Sequence, residues 1–94
     1  MISSFADNPT RLIFEGRVVT GVPPDIQQRA RRKLRMVDAA LKINDLRSPP
    51  GNRLEVLEGD RAGIYSIRIN NQWRICFRWE AGNTHEVEIS KHYE

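Results

Sequence analysis

At Arg53 the apolar rhythm of this chain changes from that of a helix to that of a strand, and few architectures accommodate such a switch. Before it, Ile26, Ala30, Leu34, Val37 and Leu41 recur at steps of four, four, three and four, the spacing of one buried helical stripe. Pro23-Pro24-Asp25 opens that helix. Proline suits a first turn, where its missing N–H has no partner to lose, and Asp is favourable at the positive end of the dipole. A shorter helix is predicted from Asn8-Pro9-Thr10 through Phe14, with a short strand before it at residues 2–5. Residues 16–21 read as a break. Residues 44–52, which include Pro49-Pro50-Gly51, read as a turn-rich loop that ends the helical half.

Beyond the switch the period is two. Leu54 and Val56 alternate with Arg53 and Glu55, and Tyr65, Ile67 and Ile69 with Ser66, Arg68 and Asn70. Asn70-Asn71-Gln72 predicts a tight hairpin, since Asn tolerates left-handed geometry. Trp73, Ile75, Phe77 and Trp79 then alternate with Arg74, Cys76 and Arg78. After a turn at Gly82-Asn83, Val87 and Ile89 alternate with Glu86, Glu88 and Ser90. The expected fold is α+β: helices packed on one face of an antiparallel meander. Ninety-four residues suffice for one such domain, residues 1–94, with a helical part at about 8–43 and a sheet part at about 53–92.

Composition narrows the function classes. No stretch approaches the roughly 20 apolar residues that span a bilayer, so no membrane is involved. Residues 1–7 lack a basic region followed by an apolar run, and a single Cys76 builds no disulfide framework. Both features predict the reducing cytoplasm. One Cys and two His offer no metal-ligand spacing, and no cofactor is expected. The net charge of +3 points weakly to a polyanion. Its distribution says more, because Arg29, Arg31, Arg32, Lys33 and Arg35 fall within seven residues of the long helix. That cluster has two readings, a solvated helix face and an RNA track.

If the apolar strand positions face the helices, the opposite face carries Glu55, Arg68, Arg74, Arg78, Glu88 and His92. A carboxylate, an imidazole and several guanidiniums on one surface match the needs of phosphodiester cleavage. That reaction takes a base for the attacking hydroxyl, an acid for the leaving oxygen and cations for the phosphorane. A solvated sheet face also displays polar residues whatever the protein does. Trp73 and Trp79 share parity with Ile75 and Phe77, which makes them core residues rather than base-stacking platforms.

The run Leu46-Arg47-Ser48-Pro49-Pro50-Gly51-Asn52-Arg53-Leu54-Glu55, then Gly59-Asp60-Arg61-Ala62-Gly63, Tyr65-Ser66-Ile67-Arg68 and Trp73-Arg74-Ile75-Cys76-Phe77, resembles the HigB-type toxins of the RelE/ParE superfamily. The resemblance covers nearly the whole chain. It implies N-terminal helices on an antiparallel sheet and a metal-independent, ribosome-dependent mRNA endonuclease, in which a ribose 2′-hydroxyl attacks the adjacent phosphate. It also implies neutralisation by a HigA-like antitoxin with a helix-turn-helix DNA-binding domain, so that operator DNA is reached only through the antitoxin.

Carried over position by position, Arg74 matches the arginine that relatives place on the scissile phosphate. Glu55 stands where they place a general base, either glutamate or histidine; several HigB proteins have His there. Many HigB toxins end in D-Y-H, whereas this chain ends Ser90-Lys91-His92-Tyr93-Glu94, which leaves the general acid as His92 or Tyr93. The RNA- or ribosome-binding set is Arg61, Arg68, Arg78 and Lys91, with Arg31 and Arg32 from the helical cluster. Two rivals share the fold class. One is a ParE-like DNA gyrase poison, which needs no acid–base pair; the other is a non-catalytic module that binds nucleic acid or antitoxin through its basic helix.

Overall fold

Asp7 starts the first helix, α1 (Asn8–Phe14), by accepting the Thr10 backbone N–H on its carboxylate at 2.8 Å. The computed structural model of the chain describes residues 1–57, 59 and 63–91. The long helix, α2, runs Pro24–Ala39 with Pro24 and Asp25 in its first turn, as the sequence predicts. Its stripe of Ile26, Ala30, Leu34 and Val37 is buried against the sheet. Leu41 does not continue that stripe. The chain turns extended at Ala40, and the Asp45 carboxylate accepts the N–H groups of Leu41 and Lys42 at 2.9 and 3.0 Å, which starts a 3₁₀ turn over Ile43–Arg47. Leu41 is left 81% exposed, and Ala40 and Leu46 fill the core in its place.

The predicted loop at residues 44–52 is therefore largely ordered as that turn and a second 3₁₀ turn, Pro50–Asn52. Asn52 pins the two together. Fully buried, it donates from its amide nitrogen to the carbonyls of Leu46 and Ser48 at 3.2 and 3.3 Å and accepts a hydrogen bond from Lys33 Nζ.

Four antiparallel strands follow in meander order: β1 (Glu55–Val56), β2 (Ile64–Arg68), β3 (Trp73–Glu80) and β4 (Asn83–Lys91). Ile67, Ile75, Phe77 and Val87 from this sheet are at most 1% exposed beneath α2. Tyr65 stacks on Phe77, and Trp73 and Trp79 pack against the same core, in agreement with their parity. The exception is Val56, 55% exposed on the two-residue edge strand. Residues 2–5 run beside β4 as two isolated parallel bridges, Ile2 to Thr84 and Phe5 to Val87, rather than as a full strand. Thr10 of α1 adds a tie by accepting the Ile89 N–H on its hydroxyl at 2.9 Å.

Both hairpins differ in detail from expectation. Asn70 adopts no left-handed conformation; its side-chain oxygen instead accepts the N–H groups of Gln72 and Trp73 at 2.8 and 2.9 Å. The second turn is centred on Ala81-Gly82, with φ of 52° and 81°, the paired left-handed geometry whose twist suits a two-residue hairpin. A bulge then interrupts β4. Between the pairs Arg78–His85 and Cys76–Glu88, β3 has only Phe77 while β4 has Glu86 and Val87. Glu86 takes up the extra residue at φ 54°, and Ser4 Oγ accepts its N–H at 2.9 Å.

Candidate active site

Strand register places three polar rows on the sheet face opposite the helices. Glu55, Ser66, Cys76 and Glu88 line up across all four strands; Arg68, Arg74 and Ser90 form the next row. On the other side of the first row lie Ile64, Arg78 and His85. Parity thus located Glu55, Arg68, Arg74, Arg78 and Glu88 on one face. It missed His85, because counting by twos back from Val87 ignores the extra residue at Glu86.

Arg74 is the most constrained member. Its Nε donates to Ser66 Oγ at 2.9 Å, and its Nη2 donates to the Arg53 carbonyl at 2.9 Å. Ser66 is fully buried, and the Arg74 side chain is 13% exposed. The Arg53 carbonyl is turned toward Arg74 by an unusual backbone: Arg53 sits in the left-handed region at φ 44°, just after the second 3₁₀ turn. Two residues further on begins the two-residue strand that carries Glu55. Its Oε2 lies 3.6 Å from Arg74 Nη2, with the carboxylate side chain 58% exposed. Nη1 of Arg74 makes no hydrogen bond to a described residue. The result is a guanidinium held on one edge by the protein, with a solvent-facing carboxylate beside it. A planar fork so held suits a phosphate oxygen, and the adjacent carboxylate is placed to take a proton.

The remaining sequence candidates are distributed unevenly. Arg68 pairs in register with Arg74 and bonds Asn71 Oδ1. Arg78 lies 3.9 Å from Glu80 and is 45% exposed. Lys91 pairs in register with Trp73, so it shares the face of Trp73 rather than that of Arg74, with Nζ 5.9 Å from the indole ring.

The basic helix is divided in two. Arg31 folds against Gly16 near the end of α1, where an added Cβ would come within 3.0 Å of Nη2, and its Nε is buried without a hydrogen-bond partner among the described residues. Arg32 is exposed on α2, whereas Arg29 and Lys33 line a cavity with Arg53 and Arg68. Arg31 is thus not brought to the open face. Arg61, His92 and Tyr93 lie outside the described residues. Among the described residues no three of His, Cys, Asp and Glu are placed to hold a metal ion, and no helix is long and apolar enough to cross a membrane.

Residues 3–92 match the family model of HigB-like toxins, described as RelE-like toxins of type II toxin–antitoxin systems. This chain belongs to that family. Toxin HigB-1 of Vibrio cholerae is 44% identical over 71 residues, 76% of this chain and 75% of the relative. Endoribonuclease HigB of Proteus vulgaris is 35% identical over 93 residues, 99% of this chain and the whole of the relative. Among solved structures, a YoeB–YefM complex from Staphylococcus aureus contains a chain that superposes with a TM-score of 0.63, at 15% identity and with 99% of both chains covered. At that identity the likeness is one of fold. A HigB-like toxin thus has its helices on one side of the sheet and the pinned arginine on the other.

Proposed function

We propose that this HigB-like toxin is an endoribonuclease that cuts mRNA on the ribosome and so stops translation and growth. The endoribonuclease named in Proteus vulgaris, similar along the whole chain, supports the activity. The observation that carries the reading is Arg74, pinned by Ser66 and Arg53 with Glu55 at 3.6 Å on an open sheet face. In this reading Glu55 takes the proton of a ribose 2′-hydroxyl as its oxygen forms a bond to the adjacent phosphorus. The bond from phosphorus to the 5′-oxygen breaks, and His92 or Tyr93 returns a proton to that oxygen. The products are a 2′,3′-cyclic phosphate and a 5′-hydroxyl, with no cofactor consumed.

Arg74 stabilises the phosphorane charge, which grows as the new bond forms and is therefore where a fixed cation acts most strongly. Arg68, beside it in register, and Arg78, two rows away on the same face, are assigned with Arg61 to RNA; Arg32 and Lys91 are assigned to ribosomal contacts. The partner that silences the toxin is an antitoxin, a HigA-like protein with a helix-turn-helix domain through which operator DNA is reached, and the site of action is the cytoplasm. Mapping mRNA 5′ ends in cells expressing the chain tests the reading. New 5′-hydroxyl ends within translated frames, absent with Arg74→Ala at equal expression, are expected. Intact transcripts together with gyrase-trapped DNA breaks would replace it with the ParE-like reading.

A further inference from the structure

The basic helix and the open sheet face meet at a cavity of about 730 Å³. Arg29 and Lys33 line it from α2, Arg53 from the segment before β1, and Arg68, Asn70 and Asn71 from the β2–β3 hairpin. Among the described residues no carboxylate lines it, and none of the four cations forms an ion pair with a described residue. Arg29 and Lys33 stand four apart on the helix, an arrangement of like charges that costs stability unless an anion offsets it. Burial, then the charges of Arg29 and Arg32, hold the Lys33 ammonium below its ordinary pKa. Two groups tie the cavity to the catalytic row. Arg53, which lines it, gives its carbonyl to Arg74, and Arg68 is the register partner of Arg74.

We propose that this cavity is a backbone subsite that seats successive phosphates of single-stranded RNA flanking the one held at Arg74. The assignment rests on the nuclease reading and deepens it, by naming where the strand leaves the cleavage site. Phosphodiester fits better than a protein carboxylate for two reasons. The cavity is lined by Arg53 and Arg68, the hydrogen-bond and register neighbours of Arg74, and its cations are spread over three separate segments, as a chain of repeated anions requires. It also reassigns the sequence cluster: Arg29 and Lys33 contact RNA at the site, and Arg31 does not.

The probe is a fluorescent single-stranded 2′-O-methyl oligouridylate, whose affinity is measured against salt for the full chain. Lacking the attacking hydroxyl, this strand reports binding without cleavage, so failure of the subsite and failure of the nuclease reading appear in different experiments. Arg29→Gln and Arg53→Asn are the variants, both at exposed residues, with asparagine chosen to keep the left-handed backbone. Each lost phosphate contact should lower the slope of log affinity against log salt by about 0.7. The double variant should therefore lose about 1.4 of slope and bind roughly tenfold or more weakly at moderate salt. Wild-type slope and affinity in the double variant overturn the proposal. So does loss of antitoxin binding with RNA binding intact, which would make the cavity a dock for acidic protein.

Discussion

Replacing Arg74 by alanine removes more than a charge aimed at substrate. The guanidinium satisfies the hydroxyl of fully buried Ser66 and the carbonyl of Arg53, so the variant leaves Ser66 Oγ without its partner. Hydrogen bonds to a charged group and the cost of an orphaned buried hydroxyl together amount to about 2–4 kcal/mol. The contact with 58% exposed Glu55 adds at most about 1 kcal/mol. A 94-residue domain has about 5–14 kcal/mol of stability at roughly 0.05–0.15 kcal/mol per residue. At the unfavourable extreme the cost consumes the whole of the lower stability, a folded-to-unfolded ratio of about 1. The melting temperature should fall by about 10–30 °C, yet unfolding would account for at most about a twofold loss of activity at 25 °C.

Loss of a fixed cation at a developing oxyanion, by contrast, costs about 10²–10³ in rate. Thermal melting and single-turnover cleavage on programmed ribosomes, measured on the same preparation below its melting point, separate the two effects. The reasoning is refuted if the cleavage rate falls only in proportion to the folded fraction. An undiminished melting temperature would independently contradict the anchoring role.

Glu55→Gln should slow cleavage by roughly 10²–10⁴ as a lost general base while leaving ribosome association unchanged; loss of association would make Glu55 a docking residue. Asn52→Ala should cost about 2–3 kcal/mol in denaturant unfolding, because it orphans the Leu46 and Ser48 carbonyls and half-buried Lys33, and a cost under half that would refute the pin. The N–H groups of Lys42 and Leu41 hold the Asp45 carboxyl below its ordinary pKa of 3.8. Its stabilising effect is thus complete above that value and lost as pH falls through the lower folded value, so Asp45→Asn should be less stable than wild type at neutral pH and converge with it in strong acid. His92→Gln should lower single-turnover cleavage about a hundredfold and Tyr93→Phe less; the reverse order would make the phenol the acid.

The parts of the fold that periodicity could reveal are those where one residue type answers one need. The proline pair at α2, the buried stripe from Ile26 to Val37 and the alternation along β3 are of this kind. The open face was legible through the same alternation, which is why Glu55 and Arg74 could be paired from residues far apart in sequence.

What stayed hidden depends on tertiary partners. Ser66 and Asn52 look like solvent-facing polar residues and are fully buried, one beneath Arg74 and the other between two 3₁₀ turns. Leu41 fits the helical stripe, but Asp45 captures the next N–H groups and ends the helix first. The bulge at Glu86 carries no apolar signal, so His85 could not be assigned to the face of Arg78. The basic cluster reads as one unit, whereas helical geometry sends Arg31 toward Gly16 and Arg29 toward Arg53.

Whether this toxin cuts mRNA on the ribosome with protein groups alone is read by incubating the purified chain with one defined mRNA, free or bound in a programmed ribosome, in the presence of a metal chelator that leaves the ribosome assembled. Cleavage should appear only with the ribosome, yielding a 2′,3′-cyclic phosphate upstream and a 5′-hydroxyl downstream. An intact message on the ribosome, or equal cutting of free mRNA, would rule out a ribosome-dependent nuclease built from protein groups.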